Sequence, residues 1–203
     1  MKKELLAIYG GTFSPPHLGH IRAAEAFLEA TSPDKLMILP SATPPHKSPV
    51  LGAEAKDRVA MCRLAFGHLP RTEVSELEIR REGKSYTVLT LRELSSPERD
   101  LVMLVGTDML LTLDRWYCAA EIFSLTEIAV IRRECARETA VAIEEAIRRY
   151  REQYGARIRY IPAPTVEISS SEIRDHIRAG RDTGGFLTPE VEEYIKKWQL
   201  YRD

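Results

Sequence analysis

Two histidines three residues apart lie in the run Gly10-Gly11-Thr12-Phe13-Ser14-Pro15-Pro16-His17-Leu18-Gly19-His20, which combines the groups that a phosphate site needs. Paired glycines let a backbone approach a phosphate closely. Imidazoles at i and i+3 of a helix start project to the same side, where their ring N–H groups can grip phosphate oxygens. The run follows the apolar stretch Leu5 to Tyr9 and precedes a helical pattern. A turn between strand and helix offers backbone amides and the positive end of a helix dipole to an anion. Neither the glycine spacing of a dinucleotide fingerprint nor the Gly-Lys-Ser/Thr of a P-loop is present, so a dehydrogenase or a P-loop protein fits badly.

A second cluster, Ile168-Ser169-Ser170-Ser171-Glu172-Ile173-Arg174, reads as another helix start. Ser169 and Glu172 have capping-box spacing, which accounts for those two residues by itself. Ser170, Ser171 and Arg174 would then occupy the first turns and offer hydroxyls, amides and a guanidinium to a polyphosphate.

The elements that must position these groups alternate along the chain. Short apolar runs at Leu5 to Tyr9, Leu36 to Leu39, Glu73 to Ile79, Leu101 to Val105, Ile128 to Ile131 and Ile158 to Ile161 predict strands, most of them apolar on both faces as buried parallel strands are. Apolar spacing by three and four predicts helices over Leu18 to Ala30, Ala53 to Phe66, Thr87 to Leu94 and Thr139 to Tyr154. Such alternation means an α/β sheet. Prolines make Ser41 to Pro49 a loop, and turn formers do the same from Gly180 to Gly185. Thr188-Pro189 opens a last helix carrying Val191, Ile195 and Trp198, which is expected to pack on the main body. Ligands in open α/β sheets bind beyond the carboxyl ends of the strands, so the loops after Tyr9, Leu39, Val105 and Ile161 should converge.

At 203 residues, 44% hydrophobic and 29% charged, the chain has the makings of one globular domain. No apolar stretch is long enough to cross a bilayer, and the N-terminal run lacks the length and cleavage site of a signal peptide. Cys62, Cys118 and Cys135 form no CxxC pair and read as reduced packing thiols, which points to a cytoplasmic protein. A net charge of −1 gives no general pull toward nucleic acid, and neither nucleic acid nor membrane is expected as a partner. His68, His176 and the Arg/Glu mixture from Arg132 to Arg151 read as surface chemistry without a role.

The first run resembles the T/H-x-G-H motif of the nucleotidyltransferase superfamily, in the form with histidine first. Ser14 stands where many relatives carry an acidic residue, and a hydroxyl suits a helix entry as a carboxylate does. The second cluster resembles the I-S-x-x-x-x-R element of the same superfamily, which in relatives holds the β- and γ-phosphates. Pro44-Pro45-His46-Lys47, Ser85-Tyr86-Thr87, and Gly106-Thr107-Asp108 with Leu111 and Trp116-Tyr117 are similar to the bacterial nicotinate-mononucleotide adenylyltransferase family, a likeness that covers nearly the whole chain.

That resemblance implies a Rossmann-like, doubly wound, mostly parallel sheet with helices on both faces and a small C-terminal helical appendage. One domain would span 1–203, with an α/β core to about 165 and the C-terminal helices from about 166. It implies transfer of the AMP moiety of ATP to nicotinate mononucleotide, with release of pyrophosphate, as a step of NAD biosynthesis. His17, His20, Lys47 and Arg174 would be catalytic, giving donors to the transferring and leaving phosphates. Gly10, Gly11, Thr12, Phe13, Gly106, Asp108, Ser170 and Ser171 would bind ATP, with Asp108 accepting from the ribose hydroxyls. Trp116 would stack on the pyridine ring, and amides near Tyr86, Thr87 and Tyr117 would meet its carboxylate. Lys47 and Arg133 would hold the substrate phosphate. Mg²⁺ would arrive with ATP and take no protein side chain as ligand.

Within the superfamily the rivals are pantetheine-phosphate adenylyltransferase, the cytidylyltransferases, and an enzyme preferring nicotinamide to nicotinate mononucleotide. From other classes come a hydrolase with a metal on His17, His20 and His46, and a nucleotide-binding module without turnover. A monomer and a homodimer are equally compatible with the sequence.

Overall fold

Alternate residues of the opening apolar run bury on opposite sides of a sheet. Leu6 and Ile8 pack into one apolar cluster, and Ala7 and Tyr9 into the other, the division that a period of two dictates for a strand covered on both faces. A computed structural model describes residues 2–42, 52–81, 83–131, 137–162 and 168–202. The strands are β1 (Glu4–Gly11), β2 (Lys35–Pro40), β3 (Thr72–Val74), β4 (Arg99–Gly106), β5 (Glu127–Ile131) and β6 (Ile158–Ile161). They form one sheet in the order β3-β2-β1-β4-β5-β6, and all five pairings are parallel.

The helices are α1 (Leu18–Thr31), α2 (Ala55–Phe66), α3 (Leu77–Arg80), α4 (Thr87–Leu94), α5 (Thr107–Leu110), α6 (Ala119–Leu125), α7 (Arg137–Tyr154), α8 (Ser170–Arg178) and α9 (Pro189–Trp198), with a 3₁₀ turn at Leu113–Arg115. Phe27 of α1, Cys62 and Phe66 of α2, Ile173 of α8, and Val191 and Ile195 of α9 fill one face of the sheet. Leu91 of α4, Phe123 of α6, and Ile143 and Ile147 of α7 fill the other. The doubly wound α/β architecture expected from the sequence is therefore present, with every strand parallel. The chain winds outward from β1 in one direction and from β4 in the other, so the crevice beside the carboxyl ends of those two strands is the topological switch point.

One expectation is corrected. The run Glu73 to Ile79 is not one strand: Thr72–Val74 pairs with Leu36–Ile38 of β2, and the chain then turns into α3. An alternating Glu/Leu/Glu/Ile pattern passes for a strand in sequence, but from Leu77 the backbone is helical and Glu78 buries its carboxyl against Thr90 of α4 at 2.8 Å. The last helix packs on the main body as expected, through Val191, Ile195 and Tyr194, whose hydroxyl donates to Asp57 at 3.1 Å, while Trp198 is 57% exposed with its ring near Tyr194 and the Lys197 ammonium. The stretch between β4 and β5 also holds three short helical elements with no apolar periodicity long enough to announce them. Thr188 caps α9 with Pro189 in its first turn, as its sequence demands.

Candidate active site

The turn that leaves β1 is built around Phe13. Its backbone is left-handed (φ 49°), and its ring is buried edge-on against Tyr9 and Phe66, at centroid separations of 5.3 and 5.6 Å. Phe13 therefore faces the site with its backbone alone. A Cβ on Gly11 would stand 2.9 to 3.1 Å from that ring, whereas a Cβ on Gly10 would meet nothing within 4 Å. Glycine at 11 is thus demanded by core packing, and glycine at 10 leaves open space at the end of β1.

His17 is the N-cap of α1, with extended backbone. Its N–H donates to Nδ1 of His20 at 3.2 Å, and the two rings lie 3.7 Å apart between centroids. His17 is 3% exposed and His20 is half-buried with its ring edge-on to Phe13. The spacing of the two histidines places both imidazoles together at the helix entrance, as expected.

The second cluster docks on the same turn. Ser169 accepts from the Glu172 N–H, and Glu172 accepts from Ser169, which completes the capping box and lowers the Glu172 pKa through those hydrogen bonds. Ser170 donates its hydroxyl to the Pro15 carbonyl at 2.9 Å. Arg174 donates to the Ser14 carbonyl at 2.8 Å and to the Ser171 hydroxyl at 3.0 Å. Ser170 and Arg174 thus hold the turn itself. Ser14 does not act at the helix entry as its type suggested, since that place belongs to His17. Its hydroxyl instead shares a buried 2.9 Å hydrogen bond with the Tyr201 hydroxyl, and burial pushes the Tyr201 phenol above its usual range.

Across the switch point, Gly106 caps α5, Thr107 is buried and Asp108 is exposed in the first turn of that helix. Tyr86 is the N-cap of α4 and Thr87 its first residue. The Tyr86 ring lies 5.0 Å from that of Tyr117, which is 56% exposed. Trp116 is half-buried against the apolar cluster beneath. Lys47, Arg133, His46 and Cys135 lie outside the described residues, as does most of the proline-rich loop. Among the described residues no group of three or more His, Cys, Asp or Glu side chains is placed to hold a metal ion.

Sequence reasoning passed over Arg58, Ser41 and Glu78. Arg58 is 4% exposed and donates to the carbonyls of Thr12 at 2.9 Å and Ala42 at 3.3 Å; burial lowers its pKa from the usual value. The signal was there, for Arg58 interrupts an apolar stripe of α2 completed by Met61, Cys62 and Ala65. Ser41 donates its N–H to the Gly11 carbonyl and keeps a buried hydroxyl with no partner among the described residues. Burial pushes the Glu78 carboxyl up, against hydrogen bonds from Thr90 and Ser85 and the charge of Arg81.

The family model described as cytidylyltransferase-like matches residues 8–176. A protein of Synechococcus sp. (strain JA-2-3B'a(2-13)), named "probable nicotinate-nucleotide adenylyltransferase", is 37% identical over 99% of this chain and 98% of its own. One of the same name from Laribacter hongkongensis is 38% identical over 100% and 96%. In fold, the chain is similar to the Plasmodium falciparum nicotinic acid mononucleotide adenylyltransferase solved with NaAD, with a TM-score of 0.73, 18% identity, and coverage of 98% and 97%.

Proposed function

The chain belongs to the nicotinate-nucleotide adenylyltransferases among the cytidylyltransferase-like proteins, and on that premise we propose that it joins nicotinate mononucleotide to the AMP moiety of ATP, giving nicotinate adenine dinucleotide and pyrophosphate. The observation that carries this reading is the closely paired His17 and His20 imidazoles at the helix entrance after β1, with Arg174 and Ser170 of α8 bound to the turn before it.

In this reading a phosphate oxygen of the mononucleotide forms a bond to the α-phosphorus of ATP. The bond from that phosphorus to the bridging oxygen breaks, and its electron pair leaves with pyrophosphate. No general base is needed, because a phosphate monoester is largely dianionic near neutral pH, its second pKa being about 6. The protein has to align the reactants and stabilise charge as it moves to the leaving group. His20, whose Nδ1 already accepts from the His17 N–H, offers Nε2 as a donor. Arg174 adds a fixed cation whose remaining N–H groups face the polyphosphate.

Open space beside Gly10 admits the triphosphate along the end of β1, and Asp108 takes the ribose hydroxyls. Tyr117 and Trp116 enclose the pyridine ring, whose carboxylate meets N–H groups at Thr87 and Tyr117. We assign the mononucleotide phosphate to Lys47 and Arg133. We assign Mg²⁺ to the substrate, which would enter as MgATP. A cytoplasmic place in NAD biosynthesis follows from this activity, and among the described residues no helix is long and apolar enough to cross a membrane.

Pyrophosphate release in the presence of MgATP and nicotinate mononucleotide tests the proposal, with nicotinamide mononucleotide as the parallel substrate. Turnover favouring the acid is expected. Absence of turnover with either would remove the assignment, and preference for the amide would replace it with the amide-using enzyme.

A further inference from the structure

Ala42, at the root of the loop after β2, is gripped through both of its peptide groups. Its carbonyl accepts from Arg58 at 3.3 Å and its N–H donates to the Ser85 hydroxyl at 2.9 Å. The second arm of Arg58 reaches the Thr12 carbonyl at 2.9 Å. Ser85 immediately precedes Tyr86 and Thr87, where α4 begins. Having accepted from Ala42, its hydroxyl turns its own proton to the buried Glu78 carboxylate, whose charge it stabilises along with Thr90. One residue of main chain therefore ties the turn after β1 to the start of α4, through two side chains with no other task in the mechanism.

The chemistry of these groups is expensive enough to need a reason. Arg58 is buried on α2, it donates to the neutral carbonyls of Thr12 and Ala42, and among the described residues it forms no ion pair. A buried guanidinium held this way costs more than an apolar residue of similar volume at the same place. Its planar fork can span two carbonyls at a fixed separation, which a lysine ammonium cannot do. Glu78 is a second buried charge, on α3.

We propose that Arg58 and Ser85, the latter oriented by Glu78, are positioning residues that fix the nicotinate-recognising start of α4 relative to the phosphate-handling turn at Thr12. The inference rests on the function proposed above. Ser85 governs the placement of the Tyr86–Thr87 amides and so the affinity for the mononucleotide, while Arg58 governs the alignment of the two reactants and so the rate of transfer.

Steady-state pyrophosphate release, with each substrate varied in turn, tests this alongside melting temperature. Ser85→Ala leaves the Ala42 N–H without its acceptor. It is expected to raise KM for nicotinate mononucleotide about tenfold, while KM for ATP stays within about twofold. Ser85→Thr restores the hydroxyl and should recover most of that loss. Arg58→Lys keeps the charge, and should lower kcat by about tenfold or more with little change in melting temperature. A purely structural role would change the melting temperature and the active fraction, and would leave both KM values as they are. If the wild type turns over but Ser85→Ala keeps both KM values and Arg58→Lys keeps kcat, the positioning role falls and the assigned activity stands. If the wild type does not turn over, both fall together.

Discussion

The backbone N–H of His17 donates to Nδ1 of His20 at 3.2 Å, with the two rings 3.7 Å apart. A ring nitrogen that accepts a hydrogen bond carries no proton, so the neutral His20 must hold its proton on Nε2. The helix entrance thereby chooses the tautomer of His20.

His20→Ala removes that donor from the leaving phosphates and opens the cap of α1. The expected result is a fall in kcat of about 10² to 10³, the usual consequence of losing one preorganised donor to a charged transition state. Single-turnover formation of the dinucleotide reads this directly, and a variant with wild-type kcat would mean that the ring serves only the helix.

The adjacent glycines separate packing from ligand space. Gly11→Ala drives a methyl to 2.9 Å from the buried Phe13 ring, and overpacking of that kind costs about 1 to 3 kcal/mol. Gly10→Ala meets nothing within 4 Å, so its melting temperature should match the wild type while its KM for ATP rises. Equal melting temperatures for the two variants, or an unchanged KM in Gly10→Ala, would contradict this division.

Tyr117 is 56% exposed beside Tyr86, a costly place for a large ring unless a planar ligand covers it. Stacking a base on an aromatic side chain contributes about 1 to 3 kcal/mol. Tyr117→Ala should therefore raise KM for nicotinate mononucleotide by about tenfold or more, and leave both the KM for ATP and the melting temperature near wild type. A loss confined to stability would show that the ring is a structural part of the Tyr86 contact.

Where the physics is local, the sequence displayed it. Continuous apolar runs located the strands, the i, i+3 spacing of His17 and His20 placed both imidazoles on one side, and Ser169 with Glu172 announced the start of α8. What the sequence hid is long-range. The bond between Ser14 and Tyr201 spans 187 positions, so nothing near Ser14 could reveal that its hydroxyl belongs to the core. Arg58 was visible as a charge among apolar neighbours, but its partners are backbone carbonyls, which carry no residue type to read. The strand expected through Ile79 failed because Glu78 finds its hydrogen bonds on α4, twelve residues away.

Glu78 makes stability depend on pH in a direction opposite to that of a salt-bridged carboxylate. Its pKa is raised by burial, against the hydrogen bonds of Thr90 and Ser85 and the charge of Arg81. A carboxyl whose folded-state pKa lies above its unfolded value binds more protons folded than unfolded between the two, so unfolding free energy falls as pH rises through that window. The window starts at the usual glutamate value of 4.5 and runs upward to the folded pKa. Glu78→Gln keeps a carbonyl oxygen for Thr90 and removes the titration. The melting temperature of the wild type relative to Glu78→Gln should accordingly drop as pH is raised from 4.5, then level off once Glu78 is ionised in both states. A difference that grows in the wild type's favour over that range would mean that the hydrogen bonds outweigh burial, and that the carboxyl is held low.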